Sequence, residues 1–535
     1  MRFPASIVTV WFALAFTSGY GTQAVAQSHN EAACGLEQRL GPWRATCHEP
    51  QHITASVPAV AEGTEKRMAR VATFSVFGRS RFPSDRDNGA VWAGKGLSLQ
   101  MAVGIGGRLG PLRYGIFPTI HWSQNRDFVV ADTAVAPHSS YLYPWLAAPS
   151  IDWPQRMGGA AAGDLSLGQT FVEVTGWSRA ALGISTENIW WGPSQRYPML
   201  LGATSEGFPH VYGRSPTVAF GPVQAIVRAV SGRLTESQYF DQSEDNDHNL
   251  LSAIRLEIGL NSLLPGAQVA LTSMVRQQLG TELSFRDVLG LLLPRSTTQS
   301  RPGDKAADGI GAATLVLPIK SLGVRLHGTW GRGDFFVDAE DLLTEPDHNQ
   351  FWSVGFDQEW RRSDGGATWA LSAEHASSAA TPPQFGVRRE GFSVGLYRHS
   401  GTTQGHTHRG QLLGASIGPG ARATYFSLDR THAGQLVGVL VERVLWDIDG
   451  YSLDLRSGFP NGQDREWLFG GRLGTDLNIP GIEHLRADAF GGVSIRRNRQ
   501  YVRFTGDLLN YPEREINFWL DLRIAWTPDR GDAPQ

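Results

Sequence analysis

Cysteine, lysine and long apolar runs are all scarce in this sequence, and each shortage closes off a class of protein. Only two cysteines occur in 535 residues, Cys34 and Cys47. A disulfide-dense scaffold is therefore out, and one local Cys34–Cys47 bridge near the N-terminus is the expectation for an exported chain. Lysine stands only at Lys66, Lys95, Lys305 and Lys320, so arginine supplies nearly all of the 48 basic residues. That bias suits bidentate pairing with carboxylates or phosphates, and it also suits a genome rich in Arg codons. The net charge of −3 offers no basic surface for nucleic acid. Beyond the first residues no run of about 18 apolar residues appears, so no transmembrane helix is expected. Enzymatic signatures are missing too: there is no G-x-S-x-G elbow and no H-E-x-x-H. The chain reads as a non-enzyme with no cofactor.

The N-terminus has the parts of an export leader. Arg2 gives a positive start, Ile7 to Phe16 form a short apolar core, and Ala24-Val25-Ala26 is a small-x-small cleavage site. The expected organisation is a signal peptide over 1–26, a polar periplasmic segment over 27–69, a barrel over 70–526 and a polar tail over 527–535.

Period-two alternation fills the chain from about residue 70 onward. In Ile516–Trp526, the residues Ile516, Phe518, Leu520, Leu522 and Ile524 share a face, opposite Asn517, Asp521 and Arg523. In Leu485–Arg496, Leu485, Ala487, Ala489, Val493 and Ile495 oppose Arg486, Asp488, Ser494 and Arg496. In Glu466–Leu477, Trp467, Phe469 and Leu473 oppose Glu466, Arg472 and Asp476. One greasy wall and one polar wall is the signature of a transmembrane antiparallel barrel, and aromatic residues near segment ends fit interfacial girdles. Asp449-Gly450 and Asp364-Gly365-Gly366 look like hairpin turns. Ser243–Asn249 and Ser400–Arg409 look like exposed loops. Ser284–Leu293 starts like a capped helix and stops at Pro294. On a strand, His406 and His408 would place two imidazoles on one face for a metal, but such a pair is more often a solvated loop, and Glu244, Asp245 and Asp247 lack the glycine and spacing of an EF-hand loop, so no metal is expected.

Glu187–Pro209 reads ENIWWGPSQRYPMLLGATSEGFP. A Trp face stacks on the C–H face of a sugar and its N–H donates a hydrogen bond. The polar Arg196 and Tyr197 follow at once. The same tryptophans could instead form an aromatic girdle or a structural corner. This segment, through Trp190, Trp191, Gly192, Pro193, Leu200, Leu201, Phe208 and Pro209, resembles the Wzi family of capsule-assembly proteins. So does Ile151-Asp152-Trp153-Pro154-Gln155-Arg156-Met157-Gly158 upstream. The chain departs at Gly202–Gly207, where the family carries amide side chains, and in its tail beyond Trp526. The resemblance implies about eighteen strands with small periplasmic helices, seated in a Gram-negative outer membrane among its lipid and lipopolysaccharide as a monomer. It implies a non-catalytic role, binding exported or capsular polysaccharide, with Trp190, Trp191, Arg196 and Tyr197 as ligand-binding candidates. An outer-membrane channel for small or anionic solutes is the alternative.

Overall fold

The computed structural model describes residues 69–84, 87–131, 151–176, 180–241, 243, 246–260, 264–279, 307–333, 347, 349–361, 366–379, 396–399, 401–453, 462–480, 482–504 and 510–527. The leader, Cys34, Cys47, the Ser284–Leu293 helix and the Asp364-Gly365 turn lie outside the described residues. So do Glu244 and Asp245.

Eighteen antiparallel strands close into one barrel. They are β1 (Ala69–Arg79), β2 (Gly96–Leu109), β3 (Leu112–Ile116 and Thr119–Ser123), β4 (Ala162–Ser166 and Phe171–Thr175), β5 (Ala181–Ser185) and β6 (His210–Arg214 and Val218–Phe220). Then come β7 (Val223–Thr235), β8 (His248–Gly259), β9 (Gln268–Gln278), β10 (Ala307–Ile319), β11 (Val324–Gly333) and β12 (Gln350–Arg361). The circuit ends with β13 (Thr368–Ser377), β14 (Arg422–His432), β15 (Gln435–Leu445), β16 (Arg465–Ile479), β17 (Ile482–Arg497) and β18 (Arg514–Trp526). The two pieces of β3 both pair with β2, and the two pieces of β6 both pair with β7. β18 returns to β1, in register from Ala72↔Trp526 to Arg79↔Trp519, so no sheet edge is left unpaired at the seam.

Alternation sets which face is which. Along β18 every second residue is exposed, from Ile516 to Ile524, while Glu515, Asn517, Trp519, Asp521, Arg523 and Ala525 are buried inside. β16 and β17 do the same, with Trp467, Phe469 and Leu473 outward and Glu466, Arg472, Asp488 and Arg496 inward. Outward side chains such as Leu182 and Phe518 are 69% and 65% exposed. An apolar exterior of this extent is tolerated only by an apolar solvent, and a closed barrel satisfies its backbone without water. No described helix is long and apolar enough to cross a membrane. Outward aromatics gather near both ends: Trp122, Trp330 and Trp467 near one, and the stacked Trp360 and Trp369 near the other.

The two ends differ. One carries short turns, such as 110–111, 221–222, 320–323 and 433–434, together with the start of β1 and the finish of β18. The opposite end carries the long connections, such as 80–95, 124–161, 186–209, 378–421 and 446–464. Barrels in outer membranes turn tightly on the periplasmic side and loop at length outside.

Described residues of these long connections lie inside the barrel. Ile151, Tyr197, Met199, Leu200, Leu201, Leu412, Leu413 and Ile417 lie in one buried cluster with inward wall residues such as Val230, Leu251, Met274, Phe351, Tyr425 and Trp519. Among the described residues, this hydrophobic core packs against the inner wall of the barrel. Two sequence expectations are corrected here. Ser400–Arg409 is not an exposed loop, since His406, Thr407 and His408 are buried inside the barrel. Asp449-Gly450 does not form a hairpin turn but sits in the short helix Ile448–Leu453. Inward charges are not left in open water, because neighbouring strands supply partners for them. Arg276 faces Asp308 and Arg325 faces Asp357 directly across adjacent strands, and each pair is hydrogen-bonded.

Candidate functional site

The segment 186–209 leaves β5, enters the lumen and folds back on itself, with the Trp191 N–H donating to the Leu201 carbonyl at 3.1 Å. Gly192 and Pro193 break the extended run, and the chain turns through Ser194–Tyr197. Glu374 on β13 holds that turn. Its carboxylate accepts the backbone N–H groups of Gln195 at 2.6 Å, Arg196 at 3.1 Å and Tyr197 at 3.1 Å. Glu442 on β15 accepts from the Arg196 Nε at 3.1 Å, from its Nη2 at 3.3 Å and from the Tyr197 hydroxyl at 2.9 Å. Asp87 accepts from the Arg196 Nη1 at 3.2 Å. Burial disfavours the Arg196 cation, but Glu442 and Asp87 outweigh that and push its pKa up. Burial also pushes the Tyr197 hydroxyl up, with Glu442 adding to it.

The structure brings the four sequence candidates together, but as parts of the plug. Trp190 and Trp191 are only 8% and 7% exposed, so neither ring offers an open face. Tyr197 is fully buried. Arg196 is the one of the four that borders a recess. The upstream block reaches the same plug. Asp152 accepts from the Ser237 N–H at 2.7 Å and from its hydroxyl at 2.5 Å, while the Asp152 N–H donates to the Gln404 carbonyl at 2.9 Å. His406 Nε2 meets the Leu200 carbonyl at 2.7 Å, and the Tyr397 hydroxyl donates to the Met199 carbonyl at 2.7 Å. The two blocks are thus cross-linked through residues 397–415. Burial lowers His406 to about 3 and His408 to about 4, so both are neutral structural imidazoles. No cluster that could hold a metal occurs among the described residues.

At the long-connection end the plug leaves a shallow recess open to solvent. Three half-buried tryptophans line it: Trp92 from the connection after β1, Trp153 from the upstream block, and Trp446 just after β15. Gly418 has φ +70° and its missing side chain makes room for Trp153, whose ring would lie 2.4 Å from a Cβ there. Arg496 lies 4.6 Å from the Trp446 ring centroid and fixes that indole from one side, while the Trp446 N–H donates to Glu466 at 3.1 Å. Arg499 lies over Phe82 and Phe128, both at 5.5 Å. Flat apolar rings beside hydrogen-bonding side chains are what a pyranose offers partners for: its C–H face stacks and its hydroxyls bond. Sequence reasoning missed this trio because the three tryptophans lie far apart in the chain and none has a local motif. Trp153 sat inside a recognised block without drawing notice.

No protein-family model matches the chain, and no curated protein matches it in sequence. Solved structures do match it in shape. One is Wzi of Escherichia coli, described as an outer-membrane protein involved in group 1 capsule assembly and as a carbohydrate-binding β-barrel. It aligns with a TM-score of 0.52 at 10% identity, over 84% of this chain and 83% of that one. OccAB4 of Acinetobacter baumannii aligns at 0.41 and 10% identity, over 87% and 98%. OccK2 of Pseudomonas aeruginosa, solved with glucuronate, aligns at 0.39 and 12% identity, over 86% and 98%. At these identities the likeness is one of fold, the large antiparallel barrel of Gram-negative outer membranes.

Proposed function

We propose that this chain is a non-catalytic outer-membrane barrel that binds polysaccharide at its outer end and assists capsule assembly or surface attachment. The observation that carries the reading is the tryptophan-lined recess, set at the long-connection end above the buried core. Wzi, which shares the fold, is described as carbohydrate-binding. A polymer that repeats its sugar can engage such a recess weakly on each chain and strongly across many copies. Within this proposal Arg196 serves the site by holding Glu442 and Asp87 in place. Trp190, Trp191 and Tyr197 hold the plug that supports it.

The packed plug favours binding over passage, so the channel alternative is tested by planar-bilayer current. The expected trace from purified protein is flat, and large steady steps would favour the channel. The binding reading is tested by surface pull-down of exported polysaccharide with cells carrying the wild type or a Trp92→Ala, Trp153→Ala double variant. Retention is expected to fall in the variant at equal barrel abundance. Equal retention would remove the recess from the role.

A further inference from the structure

Resting on the recess as a glycan site, we infer that it takes an uncharged sugar segment and discriminates against uronic acids and other anionic sugars. The reason lies in how its charges are already paired. Three arginines border the recess, Arg196, Arg496 and Arg499. All three nitrogens of Arg196 are engaged by Glu442 and Asp87. Arg496 makes a two-pronged pair with Asp464, at 2.8 Å from Nε and 2.6 Å from Nη2. Arg499 gives its Nε to Glu515 at 2.8 Å, one Nη to the Val129 carbonyl at 2.7 Å and the other to Gln500 at 3.0 Å. The positive charges are real, but eight of their nine guanidinium nitrogens already donate to protein oxygens.

Among the described residues, the acidic side chains lining the recess are Glu442, Asp447, Asp464 and Glu466, one more than the arginines. Among these described residues an anionic sugar would therefore meet arginines already paired with carboxylates and a slight excess of like charge. To gain an arginine it would have to displace a buried carboxylate and leave it unpaired, which costs far more than a single new ion pair returns. A hydroxyl is different. It both donates and accepts, so it bonds to carboxylate lone pairs that are already in use on one side. The rings of Trp92 and Trp153 supply the rest of the contact, and stacking is indifferent to charge on distant ring positions. An arginine-rich composition thus produces a site with no appetite for acid, because each arginine came with its own carboxylate.

The test uses the detergent-purified full chain and its tryptophan fluorescence. Two probe sets are titrated: neutral oligosaccharides (dextran and N-acetylated chitin fragments) and oligogalacturonate. Saturable binding is expected from a neutral probe, with affinity changing less than about twofold between about 0.1 M and about 1 M salt, where screening shortens from about 10 Å to about 3 Å. Oligogalacturonate is expected to bind at least roughly tenfold more weakly. Trp153→Ala and Trp92→Ala, each checked for a folded barrel by heat-modifiable gel mobility, are expected to weaken the neutral probe by about tenfold. Tighter, salt-sensitive binding of oligogalacturonate that still depends on these tryptophans would overturn the charge inference while keeping the glycan site. Binding of neither class, or binding unaffected by both variants, would overturn the glycan reading itself.

Discussion

Arg472 shows how a single small residue organises charge in the wall. It sits on β16, its ion-pair partner Asp429 sits on β14, and β15 runs between them. The residue in register with both is Gly438, where a Cβ would lie 1.9 Å from the Asp429 Oδ1. Absence of a side chain there is what lets the guanidinium reach across a whole strand to 2.7 Å. Both partners are nearly fully buried, at 1% and 2% of side-chain exposure. Asp429→Ala is expected to cost about 3–5 kcal/mol, because the stranded arginine cannot be rehydrated. The Asp429→Leu, Arg472→Met pair is expected to cost less than either single change. Denaturant unfolding in detergent, read as a double-mutant cycle, checks both. The inward direction of Arg472 was legible from alternation alone. Its partner was not, since strand order and register decide which of the lumenal carboxylates comes within reach.

Elements that enter the barrel depend on a few buried anchors. Glu374 is the anchor for the 194–197 turn, and a carboxylate that accepts several backbone N–H groups binds them about twice as strongly as a neutral acceptor would. Glu374→Ala is expected to loosen the plug and to produce flickering current in planar bilayers where the wild type shows none. At the start of the 236–241 connection, burial and then Asp152, Asp241 and Asp247 push Glu236 up to about 9. Folded Glu236 holds its proton more tightly than the unfolded chain does, so stability falls as pH rises from about 4.5 to about 9. Burial pushes Asp152 up to about 6, which adds the same sign at lower pH. His406 and His408 act oppositely, because neutral imidazoles are favoured inside and stability falls as pH drops below 6.5. The clean window is therefore above pH 6.5. There the melting temperature is expected to decline towards pH 9 in the wild type, and to stay flatter in Glu236→Gln. Most of these elements were not readable beforehand. Polar composition made 400–409 look like a surface loop, and nothing local signals that a polar segment will be swallowed by a wide cylinder whose inner wall is itself polar.

As a whole the molecule has two apolar regions on either side of a barrel wall whose inner face mixes apolar and charged residues. Lipid solvates the outer one, the plug packs into the inner one, and paired arginines and carboxylates line the cylinder between them. The outer region was fully legible, because a period of two needs no knowledge of neighbours. The inner one was not, because its residues come from connections spread along the chain. Removal of residues 396–415 would take Tyr397, His406, Leu412 and Leu413 out of that inner packing. Such a deletion is expected to leave an inserted barrel that conducts ions steadily. An unchanged flat trace would show that the remaining connections seal the bore alone.

The seam has a consequence for biogenesis. Arg79 is hydrogen-bonded to Asp521, so the first and last strands meet only when nearly the entire polypeptide has been delivered. A translation product stopped anywhere before Arg514 would be a curled ribbon with two raw borders, each free to recruit a stranger's strand. Protection of the first strand's border thus waits on the thirteen residues of the last one.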